Sequence, residues 1–214
     1  MSSRVKSTKV VGEAIAQAQN PPKVWLQSST ATIYSHRFDS PNDEFTGILG
    51  GNEPNSPPKW RASIEIAQAW EATLNSCTTP FTRKVALRSA MTMSPDSGSI
   101  FDVLCGLARK GLGGRLGSGR QYISWIHEHD FCSSIDFILD RPDLTGPINL
   151  CSPNPLPQSE FAQALREAIG VKIGLPATKL MLEVGTLLMK SETELVLKSR
   201  RVVPARLLQA GFVF

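Results

Sequence analysis

The segment Lys23-Val24-Trp25-Leu26-Gln27-Ser28-Ser29-Thr30-Ala31-Thr32-Ile33-Tyr34 constrains this chain more than any other. Its apolar first half reads as a buried strand, and its hydroxyl-rich second half as the turn that leaves the strand. Open parallel α/β sheets place ligands and reactive groups beyond the carboxyl ends of their strands, which is where Ser28, Ser29 and Thr30 fall. A hydroxyl there can donate to a substrate oxygen or orient a neighbouring acid. It can equally cap the turn through local bonds to the backbone, and spacing alone favours that second role.

The rest of the pattern alternates helix and strand. Apolar periodicity predicts helices at about 3–19, 58–76, 99–110, 128–139 and 157–169, with strands at about 23–29, 82–88, 121–125 and 147–150. Strands separated by helices imply a largely parallel sheet with helices on both faces. Asn20-Pro21-Pro22 and Thr78-Thr79-Pro80 stop helices just before strands. Arg37 to Pro58 is rich in Asp, Asn, Gly and Pro, and a loop this long is expected to be a lid, a binding loop or a disordered segment. From Leu175 the character changes, with helices expected at Ala177 to Met189 and Glu192 to Lys198. The expected fold is therefore α/β with a small, mostly helical terminal lobe.

Composition removes several classes of function. The formal charge is +4, and its basic residues are scattered apart from Arg115 to Arg120 and Lys198-Ser199-Arg200-Arg201. Nucleic-acid binding needs a denser basic stripe interleaved with aromatics. Cys77, Cys105, Cys132 and Cys151 include no Cys-x-x-Cys pair, which argues against a zinc site or a disulfide framework and for buried thiols in a reducing compartment. No metal ligand set is expected. No apolar stretch is long enough for a membrane helix. Met1 to Lys9 has the Ser and basic residues of an organelle leader, but no apolar signal core follows, and Val5, Val10, Val11, Ala14, Ile15 and Ala18 recur near helical spacing. A cytoplasmic protein is expected, with organellar import left open.

Five segments carry a resemblance to a known family. They are Ser28 to Tyr34, Ala67-Gln68-Ala69-Trp70-Glu71, Ala86-Leu87-Arg88-Ser89-Ala90 through Ser94-Pro95-Asp96, Gly117-Ser118-Gly119-Arg120-Gln121-Tyr122 with Trp125-Ile126-His127 and Asp130, and Val203-Pro204-Ala205-Arg206-Leu207-Leu208-Gln209-Ala210-Gly211-Phe212. Together they resemble the extended short-chain dehydrogenase/reductase family, in the epimerase-like subgroup that ends in a short C-terminal domain of unknown function. The resemblance implies the C-terminal part of a Rossmann-like sheet. Residues 1–110 and 111–174 would belong to one epimerase-like domain, the latter as its substrate-side segment, and 175–214 to the terminal domain. It implies NAD or NADP as cofactor, a small-molecule substrate such as a nucleotide sugar, Thr30 as the catalytic hydroxyl, Ser28, Arg88 and Ala90 near the cofactor, and Arg120, Gln121 and His127 near the substrate.

The departures from that pattern are specific. A strand, a Gly-rich turn and a helix that would seat a pyrophosphate are not found ahead of the strand at 23–29, so the sequence reads as the second part of a longer enzyme, with poor cofactor affinity expected of it alone. The cluster Gly111 to Gly119 follows a helix and precedes a short strand, the wrong context for that task. The family's Tyr-x-x-x-Lys positions fall on Ser63 and Ala67, and Tyr34 and Tyr122 lie elsewhere. The substrate-strand position that often holds an Arg is Ile123, with Arg120 nearby as the substitute. Asp130 is expected to cap the following helix, while Trp70 and Trp125 read as core aromatics. Two functions follow: an NAD(P)-dependent epimerase or reductase, or a non-catalytic remnant that keeps only the substrate lobe. In either case the strand at 23–29 would present an open edge and invite self-association.

Overall fold

The computed structural model describes residues 2–53, 57–177 and 197–214. In chain order the elements are α1 (Ser2–Gln17), β1 (Val24–Thr30), a 3-10 turn (Ala31–Ile33), α2 (Pro58–Ser76), β2 (Arg83–Ser89), β3 (Met91–Met93) and α3 (Ile100–Arg109). They continue as β4 (Tyr122–Ile123), β5 (Trp125–His127), α4 (Glu128–Asp140), β6 (Gly146–Leu150), β7 (Leu156–Pro157), α5 (Gln158–Ala168) and α6 (Ala205–Gln209). The central sheet is parallel, in the order β1-β2-β6. Among the described residues no strand pairs with the outer edge of β1.

Register divides the sheet's two faces. Thr30, Ser89 and Leu150 lie side by side in one row, and Ser29, Arg88 and Asn149 in the next. Successive side chains alternate across a strand, so the two rows point to opposite faces. On the Thr30 side, Val85, Leu87, Ile148 and Leu150 pack with Ile138 of α4, Leu207 of α6 and Phe212 into the largest core cluster. On the Ser29 side, Trp25 and Ala86 pack on Leu74 of α2. Helix α1 closes over this layer at Gly12, where an added Cβ would stand 2.4 Å from Cys77 Sγ.

Beneath the end of β1 that second face is polar. Arg88 and Glu71 form a buried, two-pronged ion pair, Nε to Oε1 at 2.9 Å and Nη2 to Oε2 at 2.7 Å. Ser29 Oγ donates to the same Glu71 Oε1 at 2.5 Å. Arg88 Nη1 donates to Tyr34 OH at 2.8 Å, and that hydroxyl donates to Asn149 Oδ1 at 3.0 Å. The Arg88 guanidinium also lies 5.0 Å from the centre of the Tyr34 ring. Burial works against the Arg88 charge, but Glu71 and Tyr34 more than offset it, so the guanidinium titrates above its ordinary value. Burial likewise pushes the Tyr34 phenol up, against the opposing pull of Arg88.

Residues 198–203 return to this region and are stitched between two loops. Lys198 Nζ donates to the Thr32 carbonyl at 2.8 Å, and Ser199 N to His36 Nδ1 at 2.8 Å. Asn42 N donates to Arg201 O at 2.7 Å and Val203 N to Asn42 O at 3.0 Å. On the other side, Arg200 N donates to Tyr122 O at 2.8 Å and Val202 N to Ser124 Oγ at 2.9 Å. The segment after Arg37, expected as a lid or binding loop, thus has its backbone tied to the C-terminal stretch. Glu44 adds a second tie, its carboxylate accepting from Asn149 N at 2.9 Å and Arg206 N at 3.3 Å.

Most expected elements occur within a few residues of their predicted bounds. The short pieces β3, β7 and α6 and the 3-10 turn were not expected, and the predicted strand at 121–125 is two short strands that join different sheets. His127 rather than Asp130 caps α4, its Nδ1 accepting from His129 N at 3.1 Å. His127 precedes the first turn, so its ring can reach forward to the His129 amide, whereas Asp130 already lies inside the helix. The helices expected at 177–189 and 192–198 fall largely outside the described residues.

Two predictions follow from these contacts. Arg88→Met leaves the Glu71 carboxylate buried without its cation and is expected to cost about 3–5 kcal/mol in urea unfolding. A loss below about 1 kcal/mol would mean the pair does not hold the strand. His36 titrates below its ordinary value because burial and the Lys198 ammonium disfavour its cation, against the pull of Glu53. Its depressed folded value means that its contribution is complete above about pH 6.5, where the unfolded group titrates, and is lost as pH falls below that. His36→Gln keeps an acceptor for the Ser199 amide and should flatten the fall in Tm between about pH 7.5 and about pH 5.5. An identical fall in both proteins would remove His36 as its cause.

Candidate functional site

Thr30 is the last residue of β1 and the cap of the 3-10 turn. Its Oγ1 accepts from Thr32 N at 3.1 Å. That single bond leaves the Thr30 O–H proton without an acceptor among the described residues. The local capping role and the availability of the hydroxyl to a ligand are therefore compatible. A hydroxyl oxygen can accept one bond while donating another.

Thr30 opens on a cleft of about 420 Å³. The floor comes from the strand ends, as Thr30, Ala31, Thr32, Ser89 and Ala90. Met91, Thr92, Ile123 and Ser124 form one wall, and Ile100 and Leu104 of α3, Leu116, Gln158, Phe161 and Arg200 complete it. Ile100 and Leu104 stand four apart, one helical turn, and so share a face of α3. A second cavity of about 350 Å³ adjoins, with Phe161 contributing to both. Met93, Phe101, Trp125, Leu156 and Leu165 are among the residues lining it.

The predicted site residues separate into three groups. Thr30 and Ala90 line the cleft, and His127 lines the second cavity. Ser28 is exposed near the end of β1 and is not part of either lining. Arg88, expected near the cofactor, turns its guanidinium to Glu71 and Tyr34 on the opposite face, because its register neighbour is Ser29 rather than Thr30. Gln121, expected near the substrate, is buried and donates Nε2 to Leu116 O at 2.9 Å, so it braces the Gly-rich loop. Arg120 is exposed and outside both linings.

That loop is held as structure. Gln158 Nε2 donates to Gly114 O at 3.2 Å and its Oε1 accepts from Leu116 N at 2.8 Å. Gly117 N donates to Ala177 O at 2.9 Å, and Gly114 approaches the Leu175 carbonyl so closely that a Cβ would lie 2.3 Å from it. The family's two acid–base positions are also accounted for. Ala67 is buried against Ala31, Ile33 and Tyr34, and Ser63 stands one turn before it on α2. Tyr34 OH is committed to the Arg88 and Asn149 network, and the Tyr122 ring lies 4.6 Å beneath the Arg201 guanidinium. Sequence reading missed Ser89, Thr92, Ser124, Phe161 and Arg200. Ser89 is the last residue of β2, Thr92 lies in the three-residue β3, too short to signal in sequence, and Arg200 arrives by a long return of the chain.

Known proteins resemble the chain along its whole length. The profile of a domain of unknown function, DUF1731, matches residues 177–214. An epimerase family protein of Staphylococcus epidermidis is 30% identical over 214 residues, which is 100% of this chain and 67% of the relative. The human epimerase family protein SDR39U1 is 26% identical over 220 residues, covering 100% of this chain and 69% of the relative. The crystal structure of that human protein with NADPH superposes with a TM-score of 0.83, covering 99% of this chain and 68% of the other. A nucleoside-diphosphate sugar epimerase from Corynebacterium glutamicum shares the fold at 23% identity, with a TM-score of 0.74 over 99% of this chain and 39% of the other. These relatives give no support to the reading of the chain as a non-catalytic remnant. With its parallel Rossmann-like sheet, its terminal domain and these relatives, the chain belongs to the epimerase family of short-chain dehydrogenase/reductase-like proteins.

Proposed function

We propose that the chain works in an NAD(P)-dependent epimerase or reductase, with Thr30 hydrogen-bonding the reacting oxygen of a small-molecule carbonyl or alcohol substrate. The observation that carries this is the Thr30 O–H, unengaged among the described residues and facing a cleft at the carboxyl end of a parallel strand. Donors fixed toward developing charge are among the largest contributions to catalysis, because the protein has oriented them before the reaction begins.

The walls fit the nicotinamide end of such a cofactor. Ala31 and Ala90 are small enough to admit a flat ring beside Thr30, and Ser28 stands at the same strand end. When bound, the dinucleotide would supply or accept a hydride. The chain's own residues do the remaining tasks. Thr30 orients the oxygen, Ile100, Leu104 and Phe161 exclude water, and His127 lies in the second cavity on the substrate side. Arg88 acts at a distance, by fixing the strand that carries Thr30.

Within this reading, residues 1–110 and 111–174 form one epimerase-like domain and 175–214 the terminal domain. Four unpaired cysteines suit a reducing compartment such as the cytoplasm. No helix among the described residues is long and apolar enough to cross a membrane. The outer edge of β1, unpaired among the described residues, makes self-association part of the proposal, since such an edge is a template for another chain.

Thr30→Val removes the hydroxyl at nearly constant volume. It is expected to lower the NADPH-dependent reduction rate by about 10²-fold with KM little changed. Loss of the cap costs about 1 kcal/mol, so the variant should remain folded. Turnover at the parent rate would overturn the role of Thr30. For the edge, sedimentation of the purified chain should show dimers or larger species that grow with concentration. A monomer across the whole range would exclude self-association through β1.

A further inference from the structure

The geometry points to an uncharged, apolar carbonyl compound, rather than a nucleoside-diphosphate sugar, as the substrate class of this cleft. This rests on the catalytic reading above and adds to it the nature of the group bound beyond Thr30.

The two adjoining cavities provide about 420 Å³ and about 350 Å³, in the range that small-molecule sites occupy. Thr30, Thr32, Ser89 and Thr92 supply hydroxyls at the strand ends, Ser124, Gln158 and Arg200 add polar groups elsewhere on the lining, and Ile100, Leu104, Leu116, Ile123 and Phe161 make up its apolar part. Past Phe161 the second cavity is largely apolar, bounded by Met93, Phe101, Trp125, Leu156 and Leu165, with His127 the one ionisable side chain among its described lining residues. A molecule with one oxygen and a hydrocarbon body matches that division. Its carbonyl would meet the Thr30 hydroxyl, and its body would leave water for surfaces that each gain roughly 25 cal/mol per Å² buried.

Charge argues in the same direction. A nucleoside diphosphate needs cations placed for its phosphates, most effectively a two-pronged Arg. Among the described residues lining either cavity, Arg200 is the one Lys or Arg, and it sits on the first cavity rather than along the second. Arg120, the residue expected to take the diphosphate, is exposed and outside both linings. Burying phosphate charge along an apolar wall would carry a large desolvation cost.

Calorimetric titration of the purified chain with 2-decanone and with UDP-glucose tests this. The ketone is expected to bind at micromolar concentration, and more tightly than UDP-glucose. Ala164→Trp places an indole in the second cavity from an exposed position of α5, and it should weaken ketone binding by about tenfold or more while the melting curve stays cooperative. Tighter binding of UDP-glucose, no ketone binding, or ketone binding unchanged by Ala164→Trp would each overturn the inference. Failure of the two readings can be told apart. Ketone binding without NADPH-dependent turnover sinks the catalytic reading alone, and turnover of a nucleotide sugar by a chain that ignores the ketone sinks this inference alone.

Discussion

The buried pair between Arg88 and Glu71 is the interaction on which the site depends. Two charges removed from water lose several kcal/mol each unless nearly every donor and acceptor is met. Here they are met from four directions, by Ser29, Tyr34, the carboxylate fork and, through Tyr34, by Asn149. These groups lie on all three strands of the central sheet, on α2 and on the turn after β1. The network therefore specifies register: a slip of one residue would carry Ser29 and Arg88 to the apolar face and strand both charges.

The same register explains the division of labour among the hydroxyls of β1. Ser29 is spent on Glu71, and Thr30, one residue later, faces the opposite side with its proton unengaged among the described residues. The strand thus ends in one structural and one available hydroxyl. Arg88 and Gln121 show that closeness in sequence to a site is not membership of it. Each is buried and bonded away from the cleft, holding in place the strand or loop whose other residues line it.

Much of this was legible in the sequence. Alternating helix and strand patterns placed the long helices and the three sheet strands, and the hydroxyl-rich end of β1 falls at the candidate cleft, because both signals are local. Other features depend on contacts that periodicity does not encode. The two-residue β4 and β7 exist only by pairing with each other, and β3 only by pairing with β5. The direction of Arg88 follows from its partner strand, and the entry of Arg200 into the cleft from a chain reversal over more than half the sequence. The cap of α4 was expected at Asp130, a common capping residue, whereas the backbone enters the helix earlier and His127 takes that place.

The return of residues 198–203 also has a consequence for the order in which the molecule can assemble. Lys198 and Thr32 are 166 positions apart, and Ser199 and His36 are 163 apart. Contacts of such separation carry a loop-closure cost before they bring any gain, so they form late. On the ribosome, β1 and its hydroxyl emerge well before Arg200, and the wall that Arg200 provides cannot exist until that later segment has been made. The cleft is consequently a late product of synthesis, and a nascent chain with its sheet already paired would still lack a finished place to bind anything.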